Sequence, residues 1–209
     1  TIAIDLTGGI ESTWMNEIHT KNRNVIKKGE KNGLEFIVDE DFAYLTEFEE
    51  LYNSTMDKLE ADGFYYFDPG YYDQLKNTIQ NRFLGIVKHE GKVVAGVIFF
   101  YQLPYGHYHL AGSDKSALKL SPNNFLLWEA AKELTNRGVE YFHLGGGTDG
   151  SEENSLYQYK RKFSKHEYQF ALGKMIFNPS LYEDICTEWA AANPEKADKL
   201  KNILLKYKY

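Results

Sequence analysis

The chain has 209 residues, 43% of them hydrophobic and 26% charged, which is typical of a globular protein rather than a disordered or fibrous one. Its net charge of −6 has the wrong sign for a general nucleic-acid coat, although a local basic groove stays open. The single cysteine, Cys186, excludes an internal disulfide and a cysteine-based zinc site. A single cysteine is compatible with a reducing compartment. No apolar run is long enough to span a bilayer, so we expect a cytoplasmic protein.

The first third of the chain predicts alternating strands and helices. A strand at residues 1–6 is followed, after Gly8-Gly9, by one long helix from Ile10 to Lys31. A second strand at residues 34–40 leads into a helix over about 42–61, capped by Asp39 or Asp41. The aromatic segment 64–75 predicts a turn and a short helix.

The remainder changes character, beginning with three strands over residues 82–113 that predict an antiparallel meander. Ser121-Pro122 is typical of a helix start, with the serine as cap, and that helix is expected to end at Gly138. The pattern then predicts a strand, a helix, a strand and two helices, at residues 139–147, 155–163, 168–177, 180–192 and 194–209. With no repeat and no linker, this order favours a single α+β domain over residues 1–209 with a mixed, largely antiparallel sheet.

Three glycines follow the strand 139–147, and they are the strongest local signal in the sequence. Gly146 and Gly147 can adopt positive φ or let another backbone approach closely, so a substrate could enter at this strand end. A plain turn from strand to helix is the alternative. Neither a phosphate-binding Walker loop nor a dinucleotide fingerprint is present.

The helix predicted at residues 155–163 carries the candidate catalytic residue, Lys160. Leu156, Tyr159 and Phe163 share one face of this helix, and Lys160 points to another. A lysine in this position could stabilise an oxyanion or a phosphate as a point charge. The alternative is a solvated basic helix with an apolar seam.

Two further groups of residues could bind ligands. Arg23, Lys27 and Lys31 recur every four residues and form a cationic stripe, which could bind a pyrophosphate or an RNA backbone or could simply be solvated. His107 and His109 lie on one strand face as potential zinc ligands, but no third ligand is evident, so we expect no metal.

Several segments together resemble FemAB-like peptidoglycan-bridge aminoacyltransferases and their GNAT-like relatives. The segments are KNRNVIKKGEKNG, YYDQL, YHLAGSD, SPNNFLLWEAAKELTNRGVEYFHLGGG, SLYQYKRKFS and NPSLYEDICTEW, in the order and spacing of that family. The resemblance implies a GNAT-type fold and acyl transfer to an amine. FemAB proteins carry two such folds in tandem, and this chain is similar to the second alone. We therefore expect a fragment of a longer protein, with a GNAT-like domain upstream.

The resemblance also implies substrates. It favours transfer of an aminoacyl group from aminoacyl-tRNA to an amine of a muropeptide precursor, with no separate cofactor. An acyl-CoA donor is the alternative, although the usual coenzyme A loop is absent from residues 111–124. A non-catalytic substrate-binding half-domain is a third interpretation.

The family's functional residues match particular positions of this chain. Lys160 matches a lysine associated with the transition state, and Tyr159 before it replaces the family's phenylalanine. Arg23 matches an arginine associated with substrate phosphates. We therefore predict Lys160 as catalytic and assign substrate binding to Arg23, Lys27, Lys31, Tyr159, Gly146 and Gly147.

Overall fold

A computed structural model describes all residues from 1 to 209. It contains six strands: β1 Ile2–Asp5, β2 Glu35–Asp39, β3 Arg82–His89, β4 Lys92–Gln102, β5 Tyr105–Ser113 and β6 Tyr141–Gly145. The helices are α1 Gly9–Asn16, α2 Thr20–Lys31, α3 Leu45–Lys58, α4 Pro69–Thr78, α5 Pro122–Asn136, α6 Ser155–Lys160, α7 Pro179–Ala192 and α8 Pro194–Ala197. None of these helices combines the length and the apolar character needed to cross a bilayer.

The six strands form one sheet in the order β1-β6-β5-β4-β3-β2. Every neighbouring pair is antiparallel except β5 and β6, which run parallel. The predicted α+β fold with a mixed, largely antiparallel sheet is therefore confirmed. The meander of β3, β4 and β5 is present as predicted, because tight turns join three consecutive apolar strands.

Helices cover the sheet on both faces, each over its own hydrophobic cluster. Ile26 of α2 and Leu126 of α5 belong to the first cluster, whereas Phe48 of α3 and Tyr72 of α4 belong to the second. The approach of α3 to β5 depends on Gly112, since a Cβ there would lie 2.4 Å from the backbone nitrogen of Tyr52.

The predicted helix from Ile10 to Lys31 is wrong in one respect, because the chain forms two helices there. The backbone of His19 is extended, and its Nδ1 accepts a hydrogen bond from the backbone N–H of Lys21, so His19 caps a new helix. Ile18 is buried at the break. Ser121 also departs from expectation: it precedes α5 in a left-handed conformation, and its side chain makes no capping hydrogen bond.

Residues Thr1–Gln169 and Phe170–Tyr209 form two compact units. The prediction of one domain over residues 1–209 stays a prediction, and the whole sheet lies within the first unit. The strand predicted at 168–177 is wrong: these residues form no strand, and beside β1 the chain makes an isolated bridge between Ile2 and Glu167. In the second unit, the final helix is limited to α8, and Tyr182 of α7 donates a hydrogen bond to the carbonyl of Leu204.

Candidate active site

A fork between β5 and β6 is the main feature of the sheet that could receive a ligand. The two strands pair in parallel only from Tyr105–Tyr141 to His107–His143, and beyond these residues they separate. On its other side, β5 stays paired with β4 as far as Ser113. The facing edges within the fork therefore carry backbone groups that do not bond to each other, and such groups can bind an extended ligand.

Lys160 lies at this fork. Its Nζ donates a hydrogen bond of 2.7 Å to the carbonyl oxygen of Gly146, just beyond the end of β6. The same ammonium lies 5.6 Å from the ring centroid of Tyr108, the first residue of β5 past the paired region. The predicted catalytic lysine and the predicted glycine segment are thus brought together.

Burial makes Lys160 unlike an ordinary surface lysine. Its relative exposure is 6%, and desolvation lowers its pKa from 10.5 to about 8. The amine is still mostly protonated at neutral pH. One of its three N–H groups bonds to Gly146, which leaves two that can stabilise negative charge developing beside it.

The local sequence explains how α6 holds this lysine in place. The side-chain oxygen of Asn154 accepts hydrogen bonds from the backbone N–H groups of Leu156 and Tyr157, and so caps the helix. The ring of Tyr159 packs edge-on against Phe163 at 5.5 Å, and Phe163 is fully buried. The replacement of phenylalanine by tyrosine therefore preserves packing, although the Tyr159 hydroxyl is buried without a partner.

The three glycines have distinct roles, and one expectation about them is wrong. Positive φ occurs at Gly145, not at Gly146 or Gly147. A Cβ at Gly147 would lie 2.5 Å from the Asn154 oxygen that caps α6, so this glycine is required for packing. Gly146 contributes its carbonyl to Lys160 and has space for a Cβ, whose nearest neighbour would be 3.8 Å away. Substrate binding by Gly146 and Gly147 stays a prediction.

The cationic stripe is placed on α2 with different contacts for each member. Arg23 donates hydrogen bonds of 2.9 Å to the carbonyls of Trp14 and Met15 and one of 3.1 Å to the Thr20 hydroxyl, and thereby closes the end of α1. Lys27 lies over the Trp14 ring at 5.8 Å, and Lys31 is exposed. Their substrate-binding role stays a prediction.

A cavity of about 420 Å³ is lined by a different set of basic side chains, which the sequence patterns did not reveal. It is lined by residues from α2, α5 and the α6 segment: His19, Lys21, Asn22, Val25, Asn124, Gln158, Tyr159, Arg161 and Lys162. Tyr159 is the one predicted site residue that lines it. Helical periodicity did not identify the set, because Lys21 and Lys162 are 141 positions apart and meet only through tertiary packing.

Four polar aromatic residues on the α4 side of the sheet were also missed as a group. His107 and His143 form the last pair between β5 and β6 before the fork opens, and their Nδ1 atoms are 3.2 Å apart. The Tyr71 hydroxyl lies 2.6 Å from His109 Nε2. The sequence placed His107 and His109 on one strand face, but the partner of His107 is His143. Only the parallel register of β5 and β6 reveals this pair.

Comparison with known proteins defines the family. Residues 18–161, which include the fork, Lys160 and the basic stripe, match the model of the acetyltransferase (GNAT) domain. No curated protein matches the chain.

Several solved structures share the fold. FemX is 13% identical with a TM-score of 0.68, over 77% of this chain and 57% of FemX. L-PGS from Bacillus licheniformis is 17% identical with a TM-score of 0.54, over 77% and 55%. The aminoglycoside acetyltransferase meta-AAC0020 from an uncultured soil metagenomic sample, in complex with sisomicin, is 17% identical with a TM-score of 0.53, over 71% and 99%.

The chain thus spans a little over half the length of FemX and of L-PGS, and nearly all of the aminoglycoside acetyltransferase. At these identities the structural matches establish the fold alone. The match to the domain model covers most of the chain and establishes the family. The chain therefore belongs to the family of GNAT acetyltransferase domains, a family of acyltransferases.

Proposed function

We propose that this protein transfers an aminoacyl group to an amine of a peptidoglycan precursor, with Lys160 stabilising the transition state. One observation carries the proposal: a buried lysine lies at the fork, with its side-chain nitrogen 2.7 Å from the carbonyl oxygen of Gly146. The resemblance to FemAB-like proteins and the fold shared with FemX support aminoacyl transfer in particular.

The chemistry begins when the acceptor amine attacks the carbonyl carbon of the donor ester. As the C–N bond forms, the carbonyl oxygen gains negative charge, and the ammonium of Lys160 stabilises that charge. One well-placed donor of this kind contributes about 3 kcal/mol to transition-state stabilisation. Collapse of the intermediate breaks the C–O bond and releases the tRNA hydroxyl.

The cavity of about 420 Å³ supports a substrate that carries phosphate. Lys21 and Lys162 line it together with Arg161, which forms an ion pair of 2.6 Å with Glu167. Cations at a concave site attract phosphate groups, which both tRNA and nucleotide-linked precursors contain. In this proposal Arg23, Lys27 and Lys31 extend the positive surface along α2.

A donor panel tests the proposal directly. The chain is incubated with a nucleotide-linked muropeptide and either mixed aminoacyl-tRNA or acetyl-CoA, and the acylated product is measured by mass spectrometry. We expect aminoacyl transfer that is lost in Lys160→Ala and retained in Lys165→Ala, since Lys165 is an exposed lysine five residues away. Acetyl transfer alone would identify an acyl-CoA enzyme, and muropeptide binding without consumption of either donor would identify a non-catalytic binding module.

A further inference from the structure

The pair formed by His107 and His143 stands at the root of the fork. These are the last two residues through which β5 and β6 pair, so their rings lie at the point where the strands separate. The Nδ1 atoms are 3.2 Å apart, and the ring planes are inclined by only 15°. Such a contact requires one Nδ1 to carry a proton and the other to accept it.

Both histidines line a cavity of about 770 Å³ on the α4 side of the sheet. The remaining lining comes from residues 78–81 at the end of α4 and just after it, residues 100–102 of β4, and Tyr105 and Gly106 of β5. Neither Nε2 atom makes a hydrogen bond within the chain. On these two lining side chains, one Nε2 therefore carries a hydrogen and the other is free to accept one.

The electrostatic setting keeps this pair neutral. Burial, followed by the neighbouring His143, His109 and Lys160, lowers the pKa of His107 to about 4. Burial also lowers the pKa of His143, and the positive charge of Lys160 lowers it further. Tyr108, whose ring lies 5.6 Å from the Lys160 ammonium, directly follows His107, so the pair and the proposed oxyanion site both lie at the fork. His109 is separately engaged with Tyr71.

We propose that the His107–His143 pair is a proton relay for the acceptor amine, which enters through this cavity. The inference rests on the proposed acyl transfer and supplies the proton acceptor that this reaction requires. Attack forms the C–N bond and leaves an acidic proton on the new ammonium centre. That proton passes to the free Nε2, the Nδ1 proton crosses to the other ring, and the second Nε2–H protonates the leaving oxygen through solvent in the cavity as the C–O bond breaks.

The relay needs no imidazolium ion, because one ring gains a proton as the other loses one. A low pKa is therefore compatible with this role, whereas it would hinder a single histidine acting as a general base at neutral pH.

The first test detects the relay without any turnover. Long-range ¹H–¹⁵N spectra of the full chain report the tautomer of each histidine, and aminoacetonitrile serves as a primary amine that is uncharged at neutral pH. We expect complementary tautomers for His107 and His143, and amine-induced shifts at their Nε2 atoms but not at His89, which lies at the end of β3. Two identical tautomers, or no shift with the amine, would overturn the proposal.

The second test uses the donor identified by the panel. His107→Asn and His143→Asn place an amide near the position of Nδ1 but remove Nε2, so each should lower kcat about 10²-fold. The double variant should be no slower than either single variant, because the two rings act as one unit. His89→Asn should retain full activity. The relay would be overturned if the reductions in kcat of the two single variants multiplied in the double variant, or if the variants changed KM and left kcat unchanged.

The two proposals fail differently. If Lys160→Ala abolishes transfer while the histidine variants turn over normally, the relay is wrong and the acyl transfer stands. If no donor is consumed but aminoacetonitrile shifts both Nε2 signals, the amine site stands and the proposed function is wrong.

Discussion

Two basic features of this protein, Lys160 on α6 and the stripe on α2, both place cations on a helix but in different physical environments. Lys160 is 6% exposed and has a pKa lowered to about 8, whereas Lys27 and Lys31 are exposed. A buried ammonium interacts strongly with charge that develops beside it, while an exposed one is screened by water and salt. Position relative to the fork and burial therefore separate a candidate catalytic group from a candidate binding surface.

The largest effect is expected at Lys160 itself. Lys160→Ala should lower kcat and kcat/KM together by about 10²-fold or more, because it removes an interaction that strengthens in the transition state. Lys160→Arg should restore little activity, since a planar guanidinium does not replace a point charge. Steady-state kinetics with the donor from the panel measures both. A rise in KM at constant kcat would instead make Lys160 a binding residue.

The glycines offer a matched pair of substitutions. Gly147→Ala places a Cβ 2.5 Å from the Asn154 oxygen, so it should disrupt the cap of α6 and lower the free energy of unfolding by about 1–2 kcal/mol. Gly146→Ala has space for its Cβ and should cost much less. Urea unfolding of both variants measures the difference, and equal losses would contradict the packing role of Gly147.

The stripe should divide into one structural residue and two surface residues. Arg23→Ala removes two hydrogen bonds to carbonyls at the end of α1 and one to the Thr20 hydroxyl of α2, so it should destabilise the fold by about 1 kcal/mol as well as raise KM for a phosphate-bearing acceptor. Lys27→Ala and Lys31→Ala should raise KM with little loss of stability. Unchanged acceptor binding at low salt in all three variants would show that the stripe is ordinary solvated surface.

The sequence predicted the sheet, the meander, α5 and α7 because apolar periodicity and turn residues are local signals. It failed at residues 168–177, where an apolar segment has the composition of a strand but forms none. Phe177 is 91% exposed there. Whether such a segment pairs depends on a neighbouring edge, and composition does not report that.

The candidate site was predictable where a local pattern or the resemblance pointed to it. Lys160 and the glycine segment were nominated from the sequence, and the structure places them 2.7 Å apart. The His107–His143 pair was missed because it depends on the register between two strands joined by a long connection. The cavity cations Lys21 and Lys162 were missed for the same reason: their proximity is tertiary.

A smaller effect is expected on stability when the buried charge is removed. Lys160 carries a desolvation cost because its folded pKa lies below its unfolded value of 10.5. Lys160→Met should therefore raise the free energy of unfolding by about 1 kcal/mol at pH 7, after loss of the Gly146 hydrogen bond is counted. The wild-type protein should recover this difference as pH rises from about 8 to 10.5, where the folded-state amine is neutral.

The measurement that tests the central claim most directly is the pH dependence of kcat between pH 6 and 10, with the donor from the panel. If Lys160 acts as a cation on the oxyanion, kcat falls with an apparent pKa of about 8 as the amine loses its proton. A kcat that rises through this pKa would contradict the account, because it would show the neutral amine acting as a base. A kcat that does not change through pH 8 would also contradict the account, because it would show that the charge of Lys160 does not affect the reaction.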